Sequence, residues 1–347
     1  MNDTYVVRAW SRILQGYQPI LSVEITNRCP LSCPGCYAYQ PNHVSGTALE
    51  QIGEYTGVDL VGGVLELVAR HRPLLVSIVG GEPLVRYREL SILLPQLCSK
   101  VARVEVVTSA VRPIPLEWKR LENLKVVVSV DGLQPEHDER RKPATYERIL
   151  SHIEGRSIFV HCTVTGQMTR TPGYIEEFVQ FWSARKEVSS IRISLFTPQV
   201  GEDREEVLQP EDRHRVVAEL GRLRGKYPKI RLTGKMLDAY LEPPRSPDRC
   251  IFSQITRCVS SDLQTLVLPC QFGGTPDCSK CGCAATVGFE AVGRAKVAGL
   301  PLAAIFRVSR RVGLFVERVR NALSLPDPRL ERLPSVKKDP ETSEETS

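Results

Sequence analysis

The chain has 347 residues, of which 42% are hydrophobic, and its 46 basic and 40 acidic side chains give a net charge of +6. This size allows one large domain with a buried core plus a smaller one. The charge is too small to indicate nucleic-acid binding by itself, so we expect no nucleic-acid partner. The N-terminus lacks a signal-peptide stretch and no segment reaches the roughly 18 apolar residues of a membrane span, so the predicted location is cytoplasmic.

Short apolar segments rich in β-branched residues alternate with helical patterns along the first two thirds of the chain. The predicted strands are Ile20–Ile25, Leu74–Val79, Val104–Thr108, Val126–Val130, Ile158–Val164 and Ile191–Phe196. The predicted helices are Ala48–Arg70, Arg86–Cys98, Pro115–Leu121, Ala144–Ile153, Pro172–Arg185 and Pro210–Lys226. This alternation predicts an α/β fold, a partial parallel (β/α)6 barrel whose ligands collect at the carboxyl ends of the strands.

The alternation stops near residue 240, where a proline-rich stretch predicts a linker. We therefore divide the chain into an N-terminal segment (1–18), a partial barrel (19–240), a small cysteine-rich domain (241–293), a basic amphipathic helix (294–330) and a tail (331–347). The tail has no apolar periodicity and is predicted to be disordered.

Three cysteines, Cys29, Cys33 and Cys36, directly follow the first predicted strand. Three thiolates at this spacing can hold one corner of a [4Fe–4S] cluster and leave one iron open to a small molecule. A zinc site is the alternative, but a structural zinc site needs a fourth ligand, and His43 is the only nearby candidate. The spacing alone favours the cluster and leaves zinc open.

The spacing CxxxCxxC after the first strand resembles the signature of the radical S-adenosylmethionine (SAM) superfamily. Val79-Gly80-Gly81-Glu82-Pro83 after the second strand is similar to the family's GGEP motif, and Ser129-Val130-Asp131-Gly132 is similar to its Ser-x-Asp-Gly element. The resemblance runs from about residue 19 to about residue 198. It implies that Gly80, Gly81 and Glu82 bind the amino group of SAM and that Ser129 and Asp131 suit its ribose hydroxyls.

The resemblance also implies the chemistry. A reduced [4Fe–4S] cluster would cleave SAM to methionine and a 5′-deoxyadenosyl radical, which abstracts a hydrogen atom or adds to an alkene. An electron donor such as flavodoxin or ferredoxin is then expected as a partner. One position departs from the pattern, because the residue before the third cysteine is Gly35 where the family usually has an aromatic residue. Glycine there also occurs in the branch that includes hopanoid adenosyltransferases, and it puts the adenine contact in doubt.

A second group of six cysteines lies within the 34 residues of 250–283. Six cysteines so close together in a reducing compartment indicate a metal site. Zinc is one reading, since Cys278-x2-Cys281 is half of a zinc ribbon. The resemblance favours an auxiliary [4Fe–4S] cluster of the SPASM or twitch kind, or of the hopanoid-enzyme kind, although the spacing of those families is not reproduced. The predicted ligands are Cys270, Cys278 and Cys281, with Cys258 as the best fourth, and the sequence does not decide which four of the six cysteines bind.

Apolar residues repeat every three or four positions near the C-terminus and predict a helix over Leu300–Leu323. The stripe comprises Leu302, Ile305, Val308, Val312, Phe315, Val319 and Leu323, with Arg307, Arg310, Arg311 and Arg318 mostly on another face. One reading docks the stripe on the barrel and leaves the arginines in solvent. The other places the helix on an anionic membrane surface, which makes the protein peripheral to the membrane.

Two substrate classes follow for the expected enzyme. Gly35 and the basic helix favour a lipid or isoprenoid, whereas the cysteine-rich extension is common in enzymes that modify ribosomal peptides. Only about eighteen residues precede the first strand, too few for a peptide-binding winged-helix region, which favours the lipid slightly. A non-catalytic metal-binding scaffold is a third reading, and the intact cysteine triplet with Glu82 argues against it.

Overall fold

A computed structural model describes residues 3–143 and 146–323 of the chain. Seven parallel strands form one sheet in the order β6-β5-β4-β3-β2-β1-β7. The strands are β1 Ile20–Glu24, β2 Leu75–Val79, β3 Arg103–Thr108, β4 Leu124–Ser129, β5 Ile158–Val164, β6 Val188–Leu195 and β7 Thr256–Val259. A short antiparallel hairpin, β8 Lys296–Val297 and β9 Leu300–Pro301, stands apart from this sheet.

The helices in chain order are α1 Asp3–Leu14, α2 Gly57–His71, α3 Tyr87–Lys100, α4 Glu136–Arg140, α5 Tyr146–His152, α6 Tyr174–Ala184, α7 Pro210–Lys226, α8 Gly234–Leu241, α9 Ile251–Ile255, α10 Ala284–Gly293 and α11 Leu302–Leu323. Helix α7 has the predicted bounds. The predicted helix Pro115–Leu121 is a 3-10 helix, Leu116–Arg120, and Ala48–Arg70 divides into a 3-10 turn, Leu49–Gln51, followed by α2. The α/β class and the partial parallel barrel are confirmed.

Buried side chains alternate with more exposed ones along β2, β3 and β5, so that one face of the sheet packs on the helices. In β5, Ile158, Val160, Cys162 and Val164 are buried, while the residues between them are only partly buried. Helix α2 covers the outer face with Leu60, Val64 and Leu67, spaced three or four residues apart. The inner face of the sheet lines a cavity, and the motifs after β1, β2 and β4 therefore meet at one end of it.

The seventh strand is the main difference from the predicted barrel. Strand β7 lies beyond residue 240, in the segment predicted as a separate domain, and pairs in parallel with β1 through Ile20–Thr256 and Ser22–Cys258. On the other edge, Leu195 of β6 forms a bridge with Gly282. The cysteine-rich segment therefore spans the open side of the barrel. The division at residue 240 remains a prediction.

Helix α11 packs on α1 through small residues. Trp10 Nε1 donates to Ser309 Oγ at 2.9 Å, and a Cβ atom added at Gly313 would lie 2.0 Å from the carbonyl oxygen of Ile13. Phe306 is buried in the same contact. Because this face docks, five residues of the predicted stripe are exposed, among them Val308 at 62% and Phe315 at 67%; the others are Val312, Val319 and Leu323.

The reading that docks this stripe on the barrel is therefore wrong for those five residues. The described part of the chain contains no helix long and apolar enough to cross a membrane. The predicted tail, residues 331–347, and residues 324–330 of the predicted basic segment lie outside the described residues.

Candidate active site at the carboxyl end of the barrel

The first cysteine group lies in the loop that follows β1, and Cys29, Cys33 and Cys36 are each half-buried. The start of this loop is held by Glu54, whose Oε2 accepts from Thr26 Oγ1 at 2.7 Å and from the Asn27 amide at 3.1 Å. The Arg28 and Arg86 guanidinium groups form ion pairs with the other oxygen of Glu54. One largely buried carboxylate thus fixes the start of the loop against α2 and α3.

The three thiols suit a cluster that binds thiolates. Burial raises the pKa of Cys29 to about 12, with the neighbouring Glu82, Cys33 and Cys36 adding to the rise. Burial also raises the pKa values of Cys33 and Cys36, and the Arg141 and Arg140 guanidinium groups oppose the rise at both. Buried thiols of this kind ionise when cationic iron binds them. Among the described residues, no three metal-binding side chains stand within binding distance of one ion. The fit of these cysteines to a cluster therefore rests on their thiol chemistry and on their place in one loop.

The Gly80-Gly81-Glu82 segment after β2 packs directly on the first cysteine loop. The amides of Gly81 and Glu82 donate to the carbonyl oxygens of Thr26 and Arg28, each at 2.9 Å. Gly80 has φ +132°, and a Cβ atom at Gly81 would lie 2.1 Å from the Arg28 carbonyl oxygen. In the described structure the two glycines therefore allow the segment after β2 to pack closely against the first cysteine loop. Their predicted contact with SAM stays a prediction.

Glu82 faces the protein interior and is 1% exposed. Its Oε1 accepts from the Leu84 amide at 2.9 Å and from Thr108 Oγ1, and its Oε2 accepts from the Ser109 amide at 2.7 Å. Burial raises the pKa of Glu82, and these hydrogen bonds partly offset the rise. Glu82 thus joins the end of β2 to the end of β3 beside Cys29. Binding of an ammonium group by its carboxylate remains a prediction.

Asp131, which follows β4, holds two arginines next to the first cysteine loop. Its Oδ2 pairs with Arg141 Nε at 2.9 Å and with Arg140 Nε at 3.3 Å, and its Oδ1 accepts from the Thr163 amide at 3.0 Å. Burial alone would raise the pKa of Asp131, but the two guanidinium groups outweigh it and hold the pKa well below its usual range. Both oxygens are engaged, so the predicted ribose contact competes with these partners. Ser129, at the end of β4, lines the cavity.

Arg140 and Arg141 were missed in the sequence. Arg141 Nη1 donates to Ser109 Oγ at 2.9 Å, and its guanidinium group lies close enough to Cys33 and Cys36 to interact with their charges. Arg140 is the last residue of α4 and Arg141 follows it, a few residues after the Ser-x-Asp-Gly element. The available signal was the pair of adjacent cations shortly after a buried carboxylate. Their side chains make this end of the barrel suited to an anionic ligand.

A cavity of about 950 Å³ extends from Cys33 and Cys36 into the barrel. Its middle layer is polar. Arg192 of β6 forms a two-bonded ion pair across the barrel with Glu105 of β3, at 2.9 and 2.8 Å. His161 Nε2 lies 2.8 Å from Ser194 Oγ, and Ser22 and Ser77 line the same layer. Burial lowers the pKa of His161 to about 4, so its ring is neutral near pH 7.

The second cysteine group reaches this cavity through Cys283, the residue before α10, which lines it. Burial raises the pKa of Cys270 well above its usual value, and the Cys258, Cys283 and Cys281 thiols add to the rise. Burial also raises the pKa of Cys278, and the neighbouring Cys281 thiol adds to the rise. Cys258 and Cys281 therefore each lie near Cys270, and Cys283 lies near all three, although no three of these described thiols stand within binding distance of one ion. The ligand set itself stays a prediction.

Helix α7 anchors the second cysteine group. The Arg213 guanidinium group donates to the Tyr240 carbonyl oxygen at 2.7 Å and to the Cys281 carbonyl oxygen at 3.1 Å, and it also bonds to the Lys280 carbonyl oxygen. Cys250 is buried, and its Sγ lies 3.8 Å from Thr286 Oγ1 of α10. Buried cysteines beside one another, free of disulfides, suit an iron–sulfur or zinc site.

Comparison of the chain with known proteins finds solved structures with the same fold. The chain resembles Streptococcus suis SuiB bound to S-adenosylmethionine (15% identity, TM-score 0.52, covering 74% of this chain and 60% of SuiB). With SuiB bound to precursor peptide SuiA the identity is 14% and the TM-score is 0.55, and the match covers 88% of this chain and 68% of SuiB. The chain also resembles anSMEcpe with bound AdoMet, at 15% identity and a TM-score of 0.52, and the match covers 87% of this chain and 99% of anSMEcpe. These likenesses show a shared fold.

In the first of these comparisons the chain spans 60% of the length of SuiB. A search of curated protein sequences finds no match. Residues 23–181 match the family model described as the radical SAM superfamily, and they include the cysteine loop, the Gly-Gly-Glu-Pro segment and Asp131. Residues 23–181 are therefore similar to the radical SAM superfamily, whose enzymes use a [4Fe–4S] cluster and S-adenosylmethionine.

Proposed function

We propose that this enzyme uses SAM to modify a peptide substrate by radical chemistry, as a maturase of ribosomal peptides. The observation that carries the proposal is a layer of polar and charged side chains inside the cavity beside Cys33 and Cys36, within a lining that is otherwise largely apolar. Polar side chains that face a hydrocarbon lose their solvation, so this layer disfavours a purely hydrocarbon ligand at that depth. The Glu105–Arg192 ion pair, His161 and the inward-facing serines suit an amide-rich substrate better than an isoprenoid chain.

The solved structures give further support for a peptide over a lipid. SuiB was solved bound to precursor peptide SuiA, and anSMEcpe was solved with the Cp18Cys peptide. At 14% identity these likenesses concern the fold, and the peptides belong to those proteins. The lipid reading from Gly35 gains little, since Gly35 has φ +66° and a Cβ atom there would lie 2.6 Å from Arg204 Nη1. The left-handed backbone conformation at this position accounts for the glycine without a ligand, since the Arg204 side chain could move aside.

The proposed SAM site uses residues that the first cysteine loop brings together. The cluster, when bound by Cys29, Cys33 and Cys36, supplies the electron that cleaves SAM to methionine and a 5′-deoxyadenosyl radical. Arg141 lies beside the same loop with its guanidinium group aimed by Asp131 and Ser109. We assign it to the SAM carboxylate, since a fixed guanidinium fork pairs well with a carboxylate. Glu82 holds the ends of β2 and β3 in place around the proposed position of the SAM amino group.

The second cysteine group is proposed to hold an auxiliary [4Fe–4S] cluster. Cys258, Cys270 and Cys281 were expected as ligands, and the fourth is assigned to Cys283 in preference to Cys278. Cys283 is buried beside Cys258 and Cys281, whereas Cys278 is half-buried in a short 3-10 helix, Cys278–Lys280. A small reducing protein such as flavodoxin or ferredoxin is proposed as the electron donor.

Deuterium transfer distinguishes the two substrate classes. Reduced enzyme and SAM would be mixed with a tryptic digest of perdeuterated cell protein, or with a perdeuterated lipid extract. The peptide proposal predicts deuterium in 5′-deoxyadenosine, or an adenosyl adduct on a peptide, in the digest alone. Either signal in the lipid extract alone would contradict it. Enzyme with Cys33→Ala is the matched control, because it keeps the cavity and loses one cluster ligand.

A membrane-surface position is a second proposal, and it rests on the exposed stripe of α11. Three exposed arginines, Arg307, Arg311 and Arg318, flank that stripe. Each arginine near an anionic membrane contributes about 1 kcal/mol. Replacing all three by glutamine is therefore expected to weaken binding to vesicles of phosphatidylserine and phosphatidylcholine by roughly 100-fold. Glutamine at Arg148, Arg222 and Arg224, which are exposed elsewhere, is the control. Failure of the unmodified protein to cosediment at low salt would remove this proposal.

A further inference from the structure

A buried histidine–glutamate pair lies between the two cysteine groups. His43, in the loop after Cys36, is 0% exposed, and Glu24, at the end of β1, is 4% exposed. His43 Nε2 and Glu24 Oε1 are 2.6 Å apart. The zinc reading of the sequence considered His43 as a metal ligand, but both of its ring nitrogens already have partners within the protein.

The partners of this pair belong to the cysteine-rich segment. Glu24 Oε2 accepts from Ser260 Oγ at 2.9 Å, two residues after Cys258. His43 Nδ1 lies 3.0 Å from the carbonyl oxygen of Phe272, two residues after Cys270. Because a carbonyl oxygen only accepts, the Nδ1 atom must carry the proton of that bond. Nε2 and Glu24 then share one proton, and every polar atom of the pair is satisfied.

The pair also touches the first cysteine group. The ring of Tyr37, which follows Cys36, lies 5.6 Å from the ring of His43 and 5.3 Å from the ring of Phe272. Gly273 has φ +63°, and a Cβ atom there would lie 2.0 Å from the His43 carbonyl oxygen. The loop after Cys270 is thus seated on His43 without room for a side chain. Segments that carry Cys36, Cys258 and Cys270 all converge on this one pair.

We propose that His43 and Glu24 are positioning residues, which hold the Cys258 and Cys270 thiols in place beside the first cysteine loop so that the auxiliary cluster assembles. The inference rests on the proposed auxiliary cluster. It assigns to two barrel residues a role in the metal site of the cysteine-rich segment. The pair contacts no substrate and takes no part in bond breaking.

Thiol reactivity of the metal-free protein tests the positioning directly. N-ethylmaleimide labelling, read by mass spectrometry, would follow Cys258 and Cys270, with the core residue Cys162 as the reporter of global unfolding. In His43→Ala we expect labelling of Cys258 and Cys270 to rise about tenfold or more with Cys162 unchanged, since a lost partner leaves buried polar groups unsatisfied. His152→Ala is the matched control, because His152 Nδ1 bonds the Ala110 carbonyl oxygen at 2.7 Å, outside both cysteine groups.

Two conservative variants keep the test decisive if alanine unfolds the protein. His43→Asn retains a donor near Nδ1 for Phe272, and His43→Gln retains one near Nε2 for Glu24. The proposal predicts that each variant exposes one site more than the other, Cys258 in the first and Cys270 in the second. Labelling of both cysteines at the rate of the His152→Ala control, in folded His43 variants, would overturn the proposal.

Iron provides the second measurement. In a background with Cys29, Cys33 and Cys36 replaced by alanine, His43→Ala should lose most of the remaining iron, and His43→Asn should change the electron paramagnetic resonance signal of the iron it keeps. A merely structural role would lower the yield of folded protein and leave that signal unchanged. A background protein with no iron would contradict the auxiliary cluster instead, and the labelling rates would still decide whether His43 positions the thiols.

Discussion

The two cysteine groups use the same side chain in opposite settings. Cys29, Cys33 and Cys36 lie half-buried on a loop at the mouth of the cavity, held by ion pairs and backbone hydrogen bonds. Most of the second group is buried in the sheet and its covering helices: Cys258 lies in β7 and Cys283 directly precedes α10, while Cys270 is half-buried. An iron that must accept a small molecule needs an open side, whereas a cluster that only transfers electrons is served by burial on all sides. The settings therefore indicate different tasks.

The groups also differ in the charges around them. Two arginines at the end of α4 and just after it face the first group, where the Arg141 and Arg140 guanidinium groups lower the pKa of Cys33 and burial raises it. In the second group, burial and the other thiols act together to raise the pKa of Cys270. The first site thus suits an anionic ligand in addition to its thiolates. The second suits thiolates and metal alone.

Iron analysis provides the largest expected difference between the groups. Replacing Cys29, Cys33 and Cys36 by alanine should remove about four irons per chain and leave about four on the second group. Replacing Cys258, Cys270, Cys281 and Cys283 should have the reverse effect. Inductively coupled plasma mass spectrometry after anaerobic reconstitution measures the iron and zinc content of each variant. Stoichiometric zinc in the first variant, without iron, would contradict the auxiliary cluster.

Removal of the charge at the first group is expected to weaken SAM binding. Arg141→Gln should raise the Kd for SAM by roughly 10- to 100-fold, because a hydrogen bond to a charged group contributes about 1.5–3 kcal/mol. Equilibrium dialysis with the reconstituted protein measures it, and Arg148→Gln, on the exposed side of α5, is the control. The iron content should stay unchanged in both variants. An unchanged Kd in Arg141→Gln would remove the assignment of Arg141 to the carboxylate.

A smaller effect separates two neighbouring cysteines of the second group. Cys283→Ala should lose most of the auxiliary iron, since the residue is buried beside Cys258 and Cys281. Cys278→Ala should keep most of it. Iron per chain in the background that lacks the first cysteine group is the measurement. The reverse ranking would return Cys278 to the ligand set and exclude Cys283.

The sequence predicted the local part of this architecture well. Strand β5 and helix α7 have the predicted bounds, since period and apolar content are local signals. Strand β7 was missed because it has four residues, one of them Arg257, and forms by pairing with β1, more than 200 residues earlier. The docking face of α11 was missed because it uses Ser309 and Gly313, which allow close helix contact but carry no apolar signal.

The candidate site divides in the same way. The spacing of Cys29, Cys33 and Cys36 encodes a local arrangement, so the sequence could identify this group. The choice among six cysteines in the second group depends on β7, α7 and α10 meeting in space, which spacing does not encode. The partners of His43 and Glu82 are likewise distant in sequence, as with Phe272, 229 residues away.

The central claim is that the first cysteine group supports SAM cleavage. The direct measurement is release of 5′-deoxyadenosine from SAM by the anaerobically reconstituted protein with dithionite, followed by liquid chromatography and mass spectrometry. The account predicts release by the unmodified protein and by Cys98→Ala, a half-buried cysteine outside both groups, and none above background by Cys33→Ala. Release by Cys33→Ala at the rate of the unmodified protein would contradict it.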